Sequence, residues 1–339
     1  MDEARIDPGW LRSKTRFPAG IVLAAPAGAA QLAALLGPGD ITCFQMDLHP
    51  ADQLREELGG RGLGARVVTA ADLWDLPPDF ATLLYPVPEG GERDLKIDMV
   101  DQAYHALRPR GTFVVLSPHE TDQFFPAVLK KVFGRFHAPP AERGQVFWSQ
   151  RVGDRPRRRH EMTFQVRAET GPPFRFLSRP GVFSYGRFDE GARALTEVMH
   201  IDKGDRIIDV DCGCGTNGII AARRSGPEGA VIFIDSNVRA LALAEHNARA
   251  NGVEHFDTVA SSRVEGPPAG SFDVALANPP YFAQSSIARL FIERSRVLLR
   301  PGGRFYLVTK QPDQVGPLVA ETFGTTQVVA RRGYAVLCV

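Results

Sequence analysis

The segment Ile-Ile-Asp-Val-Asp-Cys-Gly-Cys-Gly-Thr-Asn-Gly, residues 207–218, decides the fold of the C-terminal half of the chain. Its apolar start, 207–210, is typical of a buried strand, and the glycine-rich turn that follows leads into a helical pattern. A second apolar run ends at Asp235, and an amphipathic helical pattern follows it over 238–252. Strands that alternate with helices through short connections predict a doubly wound α/β sheet, whose ligands bind beyond the carboxyl ends of the strands.

The N-terminal half repeats this plan. Residues 106–116, ALRPRGTFVVL, match residues 298–308, LLRPGGRFYLV. An acid, Asp47, follows an apolar strand pattern as Asp235 does in the other half. The matched turns and acids favour two tandem Rossmann-like copies of one fold over two unrelated α/β domains.

The two copies differ where a ligand would bind. The N-terminal copy has neither an acid nor a G-x-G pattern at its first strand, 21–28, and Tyr85-Pro86 stand where the other copy has Ala277-Asn278. The N-terminal copy is therefore predicted to be degenerate and to lack a cofactor site. The predicted organisation is a degenerate domain over 1–150, a linker over 151–180 and a catalytic domain over 181–339.

The composition is that of an ordinary folded protein. The 339 residues include 40 Lys and Arg and 39 Asp and Glu, so the net charge is +1 and no global charge attracts a polyanion. Hydrophobic residues at 44% and charged residues at 23% exclude a disordered, collagen-like or coiled-coil chain. The charged N-terminus and the lack of a long apolar run predict neither a signal peptide nor a membrane span, and hence a cytoplasmic protein.

Four cysteines, Cys43, Cys212, Cys214 and Cys338, are too few and too scattered for a disulfide framework, which fits a reducing compartment. No second cysteine or histidine pair with metal-ligand spacing accompanies Cys212 and Cys214 in the sequence. No metal site is therefore predicted, and both cysteines are interpreted as small loop residues.

A nucleoside ligand is indicated by the loop after the first strand of the C-terminal copy. Gly213, Gly215 and Gly218 form a G-x-G-x-x-G pattern that lets the backbone approach a ligand at a helix N-terminus. Asp235 ends the second strand, where a carboxylate accepts hydrogen bonds from two ribose hydroxyls. NAD and S-adenosylmethionine both fit this pattern.

The motif Asn278-Pro279-Pro280-Tyr281 separates the two cofactors, because it suits the transfer of a methyl group to an amine. Proline lacks an N–H, so this turn is rich in carbonyl acceptors and poor in donors. An exocyclic NH₂ group is matched by the side-chain oxygen of Asn278 and a main-chain carbonyl, nominally that of Pro279. Both hydrogen bonds turn the nitrogen lone pair toward an electrophilic methyl group, and Tyr281 offers a ring to stack on a planar base or amide.

Four segments, FSYGRFDEGARAL, IIDVDCGCGTNG, VIFIDSN and NPPY, together resemble class I S-adenosylmethionine-dependent methyltransferases. With a degenerate N-terminal copy, the whole chain resembles the bacterial ribosomal RNA guanine-N2 methyltransferases of the small-subunit type. The resemblance covers about 180–310 strongly and about 17–135 more weakly.

This resemblance implies roles for particular residues. It places Asp209, Gly213 and Gly215 around the methionine part of the cofactor, and Asp235 at its ribose. It places Asn278 at the target amine, together with the three residues that follow it. Asp189 and Gly191 would border the cofactor, and their alternative interpretation is the N-cap and start of a helix.

Two departures from the family pattern bear on the cofactor. Asp211 stands where the family loop usually has glycine, and its carboxylate either weakens binding or contacts the cofactor ammonium. Ser261-Ser262 replace an acid that is common after the third strand. Ser262 is therefore assigned to the cofactor-binding residues without a defined contact to the adenine.

The partner indicated by the resemblance is ribosomal RNA or the small ribosomal subunit. The local feature that suits phosphates is the cluster Arg155, Arg157, Arg158, Arg159 and His160, for which a solvated linker is an equal interpretation.

Competing interpretations remain open at this stage. One is an NAD-dependent oxidoreductase, supported by the glycine pattern and Asp235, and another is a non-catalytic RNA-binding or assembly protein, supported by Asp211. DNA adenine or a protein glutamine is an alternative substrate, because N-P-P-Y serves methyltransferases of both kinds.

Overall fold

The computed structural model of the protein describes residues 7–77, 79–168, 171–279 and 285–339. The chain divides into two units, Met1–His160 and Glu161–Val339, each with its own sheet. No helix in these described ranges is long and apolar enough to cross a membrane.

The N-terminal unit is a six-stranded sheet with helices. Its helices are α1 Pro8–Lys14, α2 Pro26–Leu36, α3 Leu48–Gly60, α4 Arg93–Ala106 and α5 Phe124–Phe133. Its strands are β1 Ala19–Val22, β2 Ile41–Gln45, β3 Arg66–Thr69, β4 Phe80–Pro86, β5 Leu107–Ser117 and β6 Gln145–Gln150. The strand order is β3-β2-β1-β4-β5-β6, and β6 alone runs antiparallel to its neighbour.

The C-terminal unit contains a seven-stranded sheet and a separate hairpin. Its helices are α6 Glu190–Val198, α7 Thr216–Ser225, α8 Val238–Ala250, α9 Ser285–Leu298 and α10 Pro312–Phe323. Its strands are β7 Met162–Val166, β8 Phe174–Ser178, β9 Arg206–Val210, β10 Ala230–Asp235, β11 Phe256–Ala260, β12 Phe272–Ala277, β13 Leu299–Thr309, β14 Gln327–Arg331 and β15 Tyr334–Cys338. The order β11-β10-β9-β12-β13-β15-β14 confirms the predicted doubly wound sheet, with β15 antiparallel to both neighbours.

The repeat extends to one irregularity in the sheet. In the pair β4 and β5 the register advances two residues on β4, from Phe80, while it advances five on β5, from Leu107. The pair β12 and β13 shows the same shift at Phe272 and Leu299. The matched sequences at 106–116 and 298–308 therefore build the same bulged entry into the fifth strand of each sheet.

A glycine at this bulge allows the two chains to approach closely. A Cβ atom added at Gly111 would lie 2.9 Å from the carbonyl oxygen of Phe80, and one at Gly303 would lie 3.1 Å from that of Phe272. Real Cβ atoms rarely come this close to a backbone oxygen. The R-P-x-G turns therefore end in glycine for the same steric reason in both units.

Strand β9 lies in the middle of its sheet, and this explains its apolar sequence. Ile207, Ile208 and Val210 are fully buried because helices cover both faces of a parallel sheet. Asp209, between them, is also buried, and its carboxylate must find partners inside the protein.

The segment predicted as a linker, 151–180, is divided between the two units in the structure. Residues 151–160 belong to the N-terminal unit, while β7 and β8 form an antiparallel hairpin in the C-terminal unit. Phe174 and Phe176 of this hairpin are buried in the hydrophobic core that also contains Ile207. Alternating aromatic side chains supply enough apolar surface to bind this hairpin to its unit.

Candidate active site

A cavity opens beyond the carboxyl ends of β9 and β12, where a doubly wound sheet places its ligands. Three segments of the C-terminal unit line it: the chain that leads into α6, the loop from β9 to α7, and the end of β12. The lining residues are Phe183, Ser184, Arg187, Asp189, Ala192, Asp211, Cys212, Gly213, Cys214, Thr216, Asn217 and Asn278. The structure thus brings together four predicted residues, namely Asp189, Asp211, Gly213 and Asn278.

The loop between β9 and α7 adopts a backbone conformation that favours glycine. Asp211, Gly213 and Gly215 have φ angles of 60°, 54° and 85°. A Cβ atom added at Gly213 would meet nothing within 4 Å, so the backbone there faces open space. The N-terminus of α7 follows directly, and its N–H groups are donors suited to an anionic group.

Asp209 lies under this loop rather than on the cavity wall. The backbone N–H of Gly218 donates to its Oδ2 at 2.8 Å, which ties strand β9 to helix α7. Burial raises the pKa of this carboxyl to about 8, the hydrogen bond from Gly218 opposes the rise, and the charge of Asp235 adds to it. The structure therefore gives Asp209 a supporting position below the glycine loop.

Asp235 holds the same loop from the second strand. Its Oδ2 accepts the N–H of Gly213 at 2.8 Å, and its Oδ1 accepts the N–H of Asn237 at 2.8 Å. The Asn237 side chain caps helix α8 and donates to the carbonyl of Gly181 at 2.8 Å. One carboxylate at the end of β10 thus joins the glycine loop to the start of α8.

Asp189 and Asn278 are joined across the cavity wall. Asp189 is the N-cap of α6, and its Oδ2 accepts the N–H of Ala192 at 2.8 Å. The side-chain Nδ2 of Asn278 donates to the same oxygen at 3.3 Å. This geometry confirms that Asp189 is the N-cap of α6 and places it on the cavity wall. Its contact with the cofactor stays a prediction.

A tight turn before α6 was missed by the sequence analysis. Ser184 and Gly186 have φ angles of 58° and 72°, and the N–H of Arg187 donates to the carbonyl of Ser184 at 3.2 Å. The turn places Arg187 and the half-exposed Phe183 on the cavity wall. Their position in sequence, directly before Asp189, was the signal that pointed to them.

The two cysteines of the loop are buried thiols. Burial raises the pKa of Cys214 to about 12 and that of Cys212 well above its usual value. Both side chains are therefore protonated near neutral pH, which fits their interpretation as small loop residues.

Several predicted residues are not among those that line the cavity. Gly191 is buried in the first turn of α6, and Gly215 is the N-cap of α7. Ser262 follows β11, two positions after Ala260, and Pro279 directly follows Asn278. Pro280 and Tyr281 lie outside the described residues.

Several residues of the arginine cluster contact other residues of the N-terminal unit. Arg155 pairs with Asp101 at 3.3 Å and donates to the carbonyl of Val132 at 2.9 Å. His160 also contacts Asp101, at 2.7 Å, and the guanidinium of Arg157 lies 5.5 Å from the ring centre of Trp74. Arg158 and Arg159 are exposed.

Residues 173–338 match the family model described as the methyltransferase small domain. The matched residues make up most of the C-terminal unit. The match includes the glycine loop, Asp235 and Asn278. It starts at residue 173, so it includes strand β8 of the hairpin but not strand β7.

Relatives with similar sequences are ribosomal RNA methyltransferases. Ribosomal RNA large subunit methyltransferase G of Streptomyces avermitilis is 27% identical over 81% of this chain and 75% of its own length. Ribosomal RNA small subunit methyltransferase C of Chromohalobacter salexigens is 34% identical over 45% of this chain and 47% of its own length. The chain thus matches about half the length of the small-subunit relatives.

Among solved structures, a T. thermophilus 16S rRNA N2 methyltransferase in complex with AdoMet and guanosine has a TM-score of 0.75. It is 22% identical, and the likeness covers 98% of this chain and 91% of that one. The fold is therefore that of a known methyltransferase. Together, the family model, the relatives and this fold do not support the alternative of an NAD-dependent oxidoreductase.

The chain is an S-adenosylmethionine-dependent methyltransferase, and the residues present fit this cofactor. Carboxylates of Asp189 and Asp211 on the cavity wall suit a ligand with ammonium and sulfonium charges. Arg187 and the N-terminus of α7 suit its carboxylate, and Asp235 lies behind Gly213 at the end of the second strand.

Proposed function

We propose that the protein transfers a methyl group to an exocyclic amine, namely N2 of a guanine in ribosomal RNA of the small subunit. The single observation that carries this proposal is the position of Asn278, whose amide shares a cavity with the glycine loop of the cofactor site. The relatives named as ribosomal RNA methyltransferases support an RNA substrate. An RNA substrate also favours a cytoplasmic location.

The chemistry needs an acceptor for each N–H of the amine. The Oδ1 atom of Asn278 accepts one N–H, and a main-chain carbonyl next to it, nominally that of Pro279, accepts the other. These bonds draw the nitrogen lone pair out of conjugation with the base and direct it toward the methyl carbon. Tyr281, placed by sequence alone, stacks on the base.

S-Adenosylmethionine, when bound, supplies the methyl group on a positively charged sulfur. The amine nitrogen forms a bond to the methyl carbon as the bond from that carbon to sulfur breaks, and the sulfur keeps the electron pair. The nitrogen then carries the positive charge, so its N–H becomes acidic and gives its proton to water. No strong base is required, and this agrees with a motif made of an amide, two prolines and a ring.

We also propose that only the C-terminal unit binds the cofactor. The loop between β1 and α2 has three residues, 23–25, whereas the loop between β9 and α7 has five, 211–215. Helix α2 starts with Pro26, which has no N–H to donate at the helix N-terminus. Calorimetry on the full chain should give one S-adenosylmethionine per chain, and two per chain would contradict this proposal.

The N-terminal unit is proposed to contribute to RNA binding through Arg158 and Arg159, which are exposed. Arg155 is less suited, because it is only partly exposed and already pairs with Asp101. Replacing Arg158 and Arg159 together by Ala should weaken RNA binding and reduce its salt dependence, without a change in cofactor affinity.

The deciding experiment is single-turnover transfer of labelled methyl from S-adenosylmethionine to small ribosomal subunits or their RNA, followed by nucleoside analysis. Label on guanine N2 supports the proposal. Label on a ribose oxygen or a ring carbon would exclude the amine mechanism. Label on adenine of DNA or glutamine of a protein would keep the mechanism and change the substrate, and the absence of transfer to any of these would favour a non-catalytic protein.

A further inference from the structure

Asp189 is fixed in place by a backbone contact. As the N-cap of α6 it accepts the N–H of Ala192 at 2.8 Å, and the next residues of the helix, Gly191 and Ala192, are buried. Its carboxylate is therefore held by the start of a packed helix. The oxygen that accepts this N–H is also the one that faces the amide of Asn278.

An amide side chain has two unlike ends, and only one of them suits a carboxylate. The nitrogen of Asn278 donates, its oxygen accepts, and an ionised carboxylate can only accept. The nitrogen therefore lies toward Asp189, 3.3 Å from Oδ2, and the oxygen lies on the opposite end of the amide. The reversed amide would set its oxygen against the carboxylate and its NH₂ against an incoming amine, so both contacts would be repulsive.

We propose that Asp189 is a positioning residue that sets the orientation of the Asn278 amide and thereby selects an amine as substrate. The carboxylate turns the accepting end of the amide toward the target, which suits the N–H donors of an exocyclic amine and repels a carbonyl oxygen. Guanine carries both groups, N2 as a donor and O6 as an acceptor, so the same contact chooses between two groups of one base. This inference rests on the proposed function.

Substitutions at Asp189 separate this role from helix capping. Asn and Ser cap a helix about as well as Asp. In Asp189→Asn the oxygen of the new side chain takes the place of Oδ2, so it still accepts both the N–H of Ala192 and the amide nitrogen of Asn278. In Asp189→Ser the short hydroxyl leaves the amide to be oriented by the substrate.

The measurement is the single-turnover rate of methyl transfer to small ribosomal subunits at saturating S-adenosylmethionine. Asp189→Ser should lower this rate by about 10²-fold, the effect of losing an oriented contact in the transition state. Asp189→Asn should lower it less than Asp189→Ser, because its oxygen still orients the amide. In an Asn278→Ala background, Asp189→Ser should have no further effect.

A double variant gives a second test that does not depend on one variant folding well. Asn278→Asp alone sets two carboxylates against each other and should be slow. Combined with Asp189→Ser, whose hydroxyl can accept the N–H of Ala192 and donate to the new carboxylate, it keeps an acceptor oxygen for the amine, so the double variant should be faster than Asn278→Asp alone. Asp47→Ser, the same change at the N-cap of α3, is the matched control and should leave the rate unchanged.

The outcomes distinguish this inference from the proposed function. If the wild-type protein methylates an amine and Asp189→Ser is as fast as Asp189→Asn, with no gain of Asn278→Asp from Asp189→Ser, the positioning role is overturned and the proposed function stands. If the wild-type protein transfers methyl to no amine, the proposed function and this inference fall together.

Discussion

The backbone N–H of Gly218 donates to Asp209 at 2.8 Å, and a Cβ atom added at Gly218 would lie 2.8 Å from that same oxygen. The added atom would also lie 2.6 Å from the ring of Phe233, so neither neighbour leaves room for a methyl group. The third glycine of the loop pattern is therefore required by packing between the first strand and its helix.

Gly218→Ala should lower the free energy of unfolding by about 1–3 kcal/mol, the usual cost of an overpacked core. Gly59→Ala is the matched control, because Gly59 also lies in a helix but a Cβ there would meet nothing within 4 Å. That change should raise stability by about 0.4–1 kcal/mol. Urea unfolding measures both, and wild-type stability in Gly218→Ala would refute the packing argument.

The raised pKa of Asp209 predicts that the free energy of unfolding depends on pH. Its pKa is raised to about 8 in the folded protein, whereas an unfolded Asp titrates near ~3.9. Between these values the folded protein keeps a proton that the unfolded chain has lost, so the free energy of unfolding falls as the pH rises toward about 8. Asp209→Asn cannot titrate and should show a flatter profile in urea unfolding at about pH 6 and about pH 8.5. Equal slopes in both proteins would assign the pH dependence to other groups.

Asp235→Ala should weaken S-adenosylmethionine binding. The loss of a charge-assisted hydrogen bond costs ~1.5–3 kcal/mol, or roughly 10- to 150-fold in affinity. Asp47→Ala, the corresponding change in the N-terminal unit, should leave the affinity unchanged. Calorimetric titration of the two correctly folded variants checks this, and wild-type affinity in Asp235→Ala would remove the ribose assignment.

Asp211→Gly should leave cofactor affinity unchanged or raise it. The attraction of this carboxylate to the cofactor's positive charges is offset by its repulsion of the cofactor's carboxylate, and a φ of 60° costs less for glycine than for any residue with a side chain. Stability should therefore stay within about 1 kcal/mol of wild type. A large loss of affinity, with the fold intact by circular dichroism, would show instead that Asp211 is a direct ligand of the cofactor.

Asn278→Ala should slow methyl transfer and spare cofactor binding. The contact of this amide is to the substrate and strengthens in the transition state, so about 10²- to 10³-fold is expected in the single-turnover rate. Cofactor affinity, measured by calorimetry, should change little. A variant that transfers methyl at the wild-type rate would show that Asn278 does not hold the amine.

Much of the fold was predictable because the central strands of a parallel sheet are buried on both faces. The apolar run predicted at 207–210 became Arg206–Val210, and the matched segments at 106–116 and 298–308 became β5 and β13. The same burial limits what the sequence pattern can show about the direction of a side chain. Because both faces of β9 are covered, the sequence pattern could not tell that Asp209 points under the loop rather than into the cavity.

The less predictable parts depend on contacts between distant segments. The β7 and β8 hairpin lies in a stretch with many prolines and arginines, and only the alternation of Phe174 and Phe176 indicated strands. The turn that carries Phe183 and Arg187 depends on left-handed backbone at Ser184, which no local preference requires. The contact of Asp189 with Asn278 joins residues 89 positions apart.

The length of the loop after β1 has an evolutionary consequence. A point mutation replaces one side chain by another but leaves the number of residues between a strand and a helix unchanged. With three residues where the other unit has five, and with Pro26 at the helix start, the N-terminal unit needs an insertion as well as substitutions to acquire the same loop. Single substitutions alone therefore cannot give the N-terminal unit the loop of the C-terminal unit.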